Sequence, residues 1–206
     1  MTDHPVRLVV DDDLRRSRLT VFFRLPLAFP HIVWATLWGY AAEIAAVLNW
    51  IATLVLGRSP HLLQRFISAY IRYQAHYSAF LFLIGNPFPG FVGAPGSYPI
   101  DLQLSVGERQ RRLITLFRLL LALPALIVAS VLFVLLYVVA FFGWFAALAV
   151  GRMPQGLRDA GAYAIGYTGQ LYAYLYVLTD RYPNASPSAL LATTRPPAGP
   201  EPESGR

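Results

Sequence analysis

Hydrophobic residues fall into two long runs, and each run is followed by a weaker one. The stronger run lies between 119 and 150 and contains no charged residue, while the other spans Ile32 to Leu56 and is interrupted by one glutamate and one asparagine. Both exceed the roughly 20 residues that a helix needs to cross the core of a bilayer. The weaker candidates are Phe66–Ile84 and Gly161–Leu178. The pattern predicts an all-α integral membrane protein built as a four-helix transmembrane bundle.

The sequence repeats itself. A shift of 94 residues aligns 5–89 with 99–183 without a gap. The matched positions include proline, glycine, tryptophan and arginine, at Pro5/Pro99, Arg18/Arg112, Trp50/Trp144, Gly57/Gly151, Pro60/Pro154 and Pro89/Pro183. Matches of these residue types at one constant offset indicate a tandem duplication. We therefore divide the chain into a first repeat (1–90), a second repeat (91–184) and a tail (185–206) whose Pro, Ser and Ala content predicts disorder.

Each repeat opens with a short alternating segment and an arginine-led helix. Apolar residues recur at period two in Val6–Val10 and Ile100–Leu104, which predicts a short N-terminal strand in each repeat, on the cytoplasmic side, and the two strands could pair. The helix that follows reaches Pro30 or Pro124. Because proline kinks or ends a helix, we expect an interfacial helix before each proline and a crossing after it. A six-helix arrangement, in which both parts cross, is the alternative.

Glycine and proline mark where each crossing ends. Gly57-Arg58-Ser59-Pro60 returns as Gly151-Arg152-Met153-Pro154, and glycine suits the end of one helix while proline suits the start of the next. The second return helix carries a stripe of small residues that would admit another helix: Ala162, Gly166, Gly169 and Ala173. Since each repeat would cross twice, the halves should share one orientation, related by an axis along the membrane normal.

Composition supports a membrane setting and sets the orientation. Of 206 residues, 56% are hydrophobic and 14% charged, and the mean hydropathy is +0.47, whereas soluble domains are about 25% charged. Most arginines lie with the N-terminus, the middle loop and the tail, so both termini should be cytoplasmic. The net charge of +6 comes from arginines that flank apolar segments, which indicates contact with anionic lipids and not with nucleic acid. The candidate lipid-headgroup contacts are Arg18, Arg24, Arg58, Arg112, Arg118 and Arg152.

Four polar residues fall within the predicted crossings of the first repeat. They form a candidate intramembrane polar patch of Glu43, Asn49, Arg72 and His76, and charges at membrane depth are functional-site hypotheses because they are costly there. Three interpretations stay open for Glu43: an ion pair with Arg72 or His76, a protonatable group in an ion path, or a contact with a partner subunit. Asn49 is expected to form hydrogen bonds between helices.

No catalytic motif is present in the sequence. The chain lacks H-E-x-x-H, G-x-S-x-G, a P-loop and a dinucleotide fingerprint. It has no cysteine, and its histidines are scattered without metal-ligand spacing. We therefore expect no cofactor, no metal and no enzymatic activity.

Three segments carry a family resemblance. These are R-L-x-x-x-F-R-x-x-L-A-x-P, G-R-x-P and the stretch from Tyr174 to Pro183. At these segments the chain resembles an uncharacterised bacterial membrane family, domain of unknown function 4389, here in two tandem copies. The resemblance covers nearly everything except the tail, and it implies a multi-pass architecture with the domain in one or two copies. It implies no activity, cofactor or catalytic residue.

These observations favour a multi-pass protein of the bacterial plasma membrane that acts as a non-enzymatic accessory or scaffold subunit. Its partner would be another membrane protein or a second copy of the chain. The alternative is a small transporter or lipid-handling protein that uses a crevice between the repeats. The direction of Glu43 separates the two, because an internal crevice favours transport and an outer helix face favours a partner.

Overall fold

The computed structural model describes residues 4–105, 107 and 109–192. The first repeat contains β1 (Val6–Val10), α1 (Arg18–Phe22), α2 (Arg24–Leu56) and α3 (His61–Leu81). The second contains β2 (Ile100–Leu104), α4 (Arg112–Leu121), α5 (Leu123–Val150) and α6 (Gln155–Leu175). A short helix α7 (Pro187–Leu190) and a strand β3 (Leu191–Ala192) follow. The described chain is mostly helical, and one order of elements occurs twice.

The two predicted strands are confirmed, and they pair with each other. β1 and β2 are antiparallel, with Leu8 opposite Leu102, and β3 adds to the other edge of β1 in parallel. Leu8 and Leu102 are equivalent positions of the two repeats. The repeats are therefore related by an approximate twofold axis that passes through this pair, perpendicular to the sheet.

Each arginine-led helix breaks before its proline and not at it. In the second repeat the break at Ala122 places Pro124 in the first turn of α5, where the missing N–H has no partner to lose. In the first repeat the break at Phe23 leaves Pro30 inside α2. The prediction that Pro30 separates two helices is wrong, because α2 continues as one helix from Arg24 through Pro30 to Leu56.

The helical hairpins form as predicted. Gly57 and Gly151 end α2 and α5 in the left-handed conformation, with φ of 70° and 72°, which glycine adopts without a Cβ penalty. Pro60 and Pro154 stand directly before α3 and α6. Each long helix therefore turns back at once onto a shorter partner.

The sheet packs on α3 and α6, and these in turn pack on α2 and α5. Gln170 Nε2 donates to Val6 O at 2.9 Å and Arg72 Nε to Leu102 O at 3.2 Å, so the strands lie over the middle turns of the two helices. The small-residue stripe of α6 faces this sheet: a Cβ on Gly169 would lie 2.8 Å from Leu102. At Gly166 and Gly169 the expectation that another helix fills the stripe is corrected, since Leu8 and Leu102 of the strands lie against these two positions.

The repeats exchange contacts at their ends. The Arg18 guanidinium of α1 donates to Ala149 O near the end of α5 at 3.0 Å, and Arg112 of α4 donates to Val55 O near the end of α2 at 2.9 Å. Each long helix therefore begins where the other repeat's long helix ends, and α2 and α5 run antiparallel.

One face of the molecule is apolar. Exposed large side chains cover α1, α2, α4 and α5, including Ile44 at 64% and Val131 at 64% exposure. Among the described residues, α2 and α5 are the two helices long and apolar enough to cross a membrane, and their apolar windows are only 28% and 17% buried. The helices α3 and α6, which cover the weaker hydrophobic runs, do not reach that standard. The four-helix transmembrane bundle is therefore reduced here to two candidate spans.

The tail is ordered further than its composition predicts. Residues 187–192 form α7 and β3, the Leu190 side chain is fully buried, and Gln170 Nε2 donates to Ala189 O at 2.9 Å. One buried leucine and the free edge of β1 order a segment that lacks any sustained period. The rest of the predicted disorder falls on 193–206, outside the described residues.

Gly93 provides a test of how the loop after α3 packs against that helix. It has φ of +61°, its carbonyl accepts from Arg72 Nη1, and an added Cβ would lie 2.2 Å from Ala69 O. An alanine here would be strained at this positive φ, and its Cβ would collide with main-chain atoms that cannot move aside. Gly93→Ala should therefore lower the free energy of unfolding by about 1–3 kcal/mol. Chemical unfolding in detergent measures this. Gly90→Ala is the matched control, since nothing lies within 4 Å of its Cβ, and equal losses in both variants would contradict the assignment.

Candidate functional site

The structure separates the four residues of the predicted polar patch. Arg72 and His76 lie on the face of α3 that meets β2, where His76 Nε2 is 2.7 Å and Arg72 Nε is 3.6 Å from Asp101 Oδ1. The ion pair of Glu43 with Arg72 or His76 is not formed among the described residues. The reason is geometric, because these two side chains face the sheet while Glu43 lies on α2 and is exposed.

Sequence reasoning missed Asp101, which is central to this cluster. Its carboxylate also accepts from Gly96 N at 2.6 Å, which holds the loop before β2. The signal was available: Asp101 is an acidic residue inside a short strand of otherwise apolar and amide residues. Tyr98 stacks on His76 at 5.2 Å and donates to Pro87 O. Burial raises the pKa of the Tyr98 phenol, so this hydroxyl stays a donor at neutral pH.

Asn49 joins α2 to the end of α6, as predicted for an interhelical hydrogen bond. Its Nδ2 donates to Tyr176 O at 3.0 Å and to Val177 O at 3.1 Å, and its Oδ1 accepts from Ser59 at 2.7 Å. All of these atoms belong to the protein itself. The arrangement makes Asn49 a structural link between the repeats.

Glu43 lies in an open groove, which we call the Glu43 groove. Its walls are α2 and α5 and its floor is α3 and α6, and it consists of two adjoining cavities of about 380 and 310 Å³ that share Gln74 and Tyr77. Other lining residues are Tyr40, Tyr70, Tyr137, Thr168 and Tyr172. In the part of the chain that is described, no cation pairs with Glu43. The groove therefore places a carboxylate and several phenols on an otherwise apolar face.

The six candidate headgroup arginines divide into three pairs. Arg18 and Arg112 bind helix-terminal carbonyls, and these carbonyls are groups that a helix leaves unsatisfied. Arg58 and Arg152 are exposed at the hairpins. Arg24 and Arg118 are 2% and 1% exposed and lie inside the protein.

Arg118 has four hydrogen-bond acceptors for its two Nη groups, while its Nε is buried without a partner among the described residues. It donates to Asp180 Oδ1 at 2.6 Å, to Gln110 Oε1 at 2.9 Å, to Thr179 O at 3.0 Å and to Tyr174 O. These contacts hold the chain after α6 against the start of α4. Arg118 acts here as a structural cation and not as a lipid contact.

Within the described ranges, no group of three or more His, Cys, Asp or Glu side chains is placed to hold a metal ion. The Asp101 cluster contains one carboxylate and one imidazole, and Arg72 fills the remaining space beside them. What these residues assemble is a polar contact between α3 and β2.

A family model matches the chain twice, at residues 18–92 and 112–186. The family is described as a domain of unknown function, DUF4389. The chain belongs to this family. The two matches begin 94 residues apart, at the offset of the sequence repeat, so the DUF4389 protein carries two tandem copies of the domain. No curated protein and no solved structure gives a significant match.

Each DUF4389 copy starts at its arginine-led helix and extends past its return helix. The strands β1 and β2 precede the matched regions, yet they pair across the two copies. The sheet therefore lies outside the matched regions and joins the two copies of the domain.

The repeats offer a matched test of the Arg118 ion pair. Asp180→Ala leaves a buried guanidinium without its counter-ion and should lower the free energy of unfolding by about 2–4 kcal/mol. Asn86→Ala removes the equivalent residue of the first repeat and should change it by about 1 kcal/mol or less. Thermal and chemical unfolding in detergent would measure both. The assignment would be wrong if the two variants lost the same stability.

Proposed function

We propose that this DUF4389 protein is a non-enzymatic accessory or scaffold subunit of the bacterial plasma membrane. Its apolar face enters the lipid, and the Glu43 groove binds a partner protein. The observation that carries the proposal is the carboxylate of Glu43 on the apolar face, which no cation of the described residues pairs with.

The apolar face supports membrane placement. Soluble monomers rarely expose contiguous apolar patches beyond a few hundred Å², whereas here α1, α2, α4 and α5 expose large apolar side chains along their whole length. A core helix of a soluble protein would be mostly buried, and α2 and α5 are not. Contact with lipid would remove the cost of exposing this apolar surface to water.

The position of the sheet favours immersion of this face from one side. The strands lie over the middle turns of α3 and α6, and they carry the paired polar residues Arg7 and Gln103, which are half-buried. If α3 and α6 crossed the bilayer, these side chains would lie at mid-depth, where an arginine costs about 2.5 kcal/mol or more. We therefore propose helices that lie along one leaflet, in place of four crossings.

With the helices along one leaflet, the sheet and the termini come to lie on the same side of the membrane. The sheet side is in the cytoplasm, and so are both termini, because β1 follows the N-terminus and β3 precedes the tail. The approximate twofold axis then runs along the membrane normal, so the repeats share one orientation. The exposed Arg58 and Arg152 lie at opposite ends of the molecule, where each can contact anionic headgroups.

Glu43 supports a partner. A carboxylate in an apolar surface is costly unless a cation or a donor meets it, and among the described residues none does. The groove is open along the apolar face, which suits a helix from a second membrane protein or a second copy of the chain. Tyrosine side chains in the groove provide apolar area together with hydroxyl groups for its polar positions.

A lipid-handling protein is the second candidate. It is favoured by the continuity of the two cavities at Gln74, whose Oε1 is buried with no partner in the described part of the protein. A polar headgroup could reach this atom from the groove. The same groove would then hold a lipid in place of a protein helix.

Cysteine accessibility tests whether the long helices lie along one leaflet or cross the bilayer. The protein has no native cysteine, and His61 and Gln155 are exposed, equivalent positions at opposite ends of the molecule. His61→Cys and Gln155→Cys should both resist a membrane-impermeant maleimide added to intact spheroplasts, and both should react in inverted vesicles. Reaction of one position from each side would show that the long helices cross the bilayer.

Site-specific photo-crosslinking tests the partner. A crosslinking residue at Tyr40, which lines the Glu43 groove, should give one protein adduct in living cells. Leu37, similarly exposed but outside the groove, is the control. Glu43→Gln should reduce the adduct about tenfold or more, because loss of one member of a desolvated charge pair costs about 2–5 kcal/mol. An adduct that forms equally from Leu37, or that persists in Glu43→Gln, would refute the partner; a lipid adduct alone would favour the second candidate.

A further inference from the structure

Arg24 is a buried cation with an incomplete set of partners. Its Nη2 donates to Gly85 O at 3.2 Å, and the guanidinium lies 4.5 Å from the centre of the Phe80 ring. Its Nε and Nη1 are buried and have no hydrogen-bond partner among the described residues. The side chain is only 2% exposed, so an acceptor from outside the protein has to approach it through the cavity that it lines.

The second repeat shows what is missing. Arg118 is the equivalent residue, and it lies 4.7 Å from the ring of Tyr174 and donates to Thr179 O, which correspond to Phe80 and Gly85. Arg118 also has the carboxylate of Asp180 and the amide oxygen of Gln110. Its Nε lacks a partner among the described residues, as that of Arg24 does, so the two repeats differ at the Nη groups.

In the first repeat both of these acceptors have been replaced. Asn86 stands where Asp180 would be, and Arg16 stands where Gln110 would be. Asn86 brings no negative charge, and Arg16 brings a second positive one. The first repeat therefore has one acceptor group fewer and one cation more around its buried arginine.

The nearby carboxylate does not restore the balance. Asp12 binds Arg16 through both oxygens, at 3.1 and 2.8 Å. There is thus one carboxylate beside two buried guanidinium groups. It binds Arg16, and among the described residues Arg24 has no carboxylate partner. Because a buried charge is stable only when it is paired, the structure calls for an external anion at Arg24.

Arg24 forms part of the wall of an apolar cavity, which we call the Arg24 groove. The groove runs between α5 and the segment from α1 to the start of α2, has a volume of about 690 Å³, and is lined by Phe22, Leu25, Leu83, Tyr137, Phe141 and Trp144. Ligand cavities typically have about 300–1,000 Å³. Phe22 and Phe141 are 62% and 60% exposed, so the groove continues into the apolar face of the molecule.

We propose that the Arg24 groove is a binding site for one anionic phospholipid. The phosphate accepts hydrogen bonds from Arg24, for which a guanidinium is suited because it presents parallel N–H groups to an oxyanion. One acyl chain lies along the aromatic wall of α5 and continues into the bilayer. A phospholipid fits better than a small anion, since only an amphiphile satisfies the charge and fills the apolar groove together.

The repeat supplies the variant that tests this site. Asn86→Asp restores the carboxylate that Arg118 has in the second repeat, so Arg24 gains an internal counter-ion without the loss of any side chain. Native mass spectrometry of the purified full chain, titrated with phosphatidylglycerol, should show one tightly held lipid. Asn86→Asp should weaken its binding about tenfold or more while the melting temperature stays equal or rises, and Arg24→Gln should weaken it similarly.

A third variant and three other ligands sharpen the outcome. Val138→Trp, in the wall of the groove, should weaken phosphatidylglycerol binding by occupying the path of the acyl chain. Phosphatidylcholine should bind at least tenfold more weakly, because its headgroup has no net charge. Competition by inorganic phosphate, or tighter binding of a fatty acid, would replace the phospholipid with a different ligand and overturn the proposal.

Phosphatidylglycerol binding that is unchanged in Asn86→Asp would overturn it as well. The result is separable from the partner proposal, because the crosslink from Tyr40 tests the Glu43 groove and not Arg24. Loss of lipid in Asn86→Asp with the Tyr40 adduct intact is the expected combination.

Discussion

The fold depends on the last carbonyls of its two long helices. A helix leaves its final carbonyl groups without partners inside the helix, and in an apolar setting each unsatisfied group costs several kcal/mol. Here the other repeat supplies the donors: Arg18 and Arg112 reach Ala149 O and Val55 O, while Arg16 N and Gln110 N reach Gly151 O and Gly57 O. Each repeat thus supplies donors to the end of the other's long helix, and these contacts join the two repeats.

The same exchange arranges the molecule in layers. Because each long helix begins where the other ends, α3 and α6 come together in the middle with one side toward the long helices and the other toward β1 and β2. Polar contacts such as Arg72 with Asp101 and Gln170 with Val6 O lie on the sheet side. Apolar side chains dominate the opposite face. A molecule with this division matches the boundary between water and lipid better than either solvent alone.

The sequence predicts the local elements of this fold well and their assembly poorly. Period-two alternation identifies β1 and β2, and the glycine and proline at 57–60 and 151–154 identify the hairpins, because these signals act within a few residues. The predicted partners of Arg72 and of the small-residue stripe were other helices, but both meet strand β2. Hydropathy cannot reveal this, since a helix packed under a sheet and a helix packed in a bundle have similar composition. The Asp101 partner required knowledge of which helix face the strand covers.

Duplication also gives each polar residue an internal reference. Where both copies keep a contact, as Arg24 and Arg118 do with an aromatic ring and the carbonyl of an equivalent residue, the contact belongs to the fold. Where a residue differs between the two copies, the common fold does not depend on that residue for its stability. Glu43 is the equivalent of Tyr137 in the other repeat, and Asn86 is the equivalent of Asp180. Both differences leave a charged side chain, Glu43 itself and Arg24, without a partner of opposite charge among the described residues. Since a duplicated domain can retain its fold through one intact copy of an ion pair, the altered copy is free to accept its partner from outside the chain.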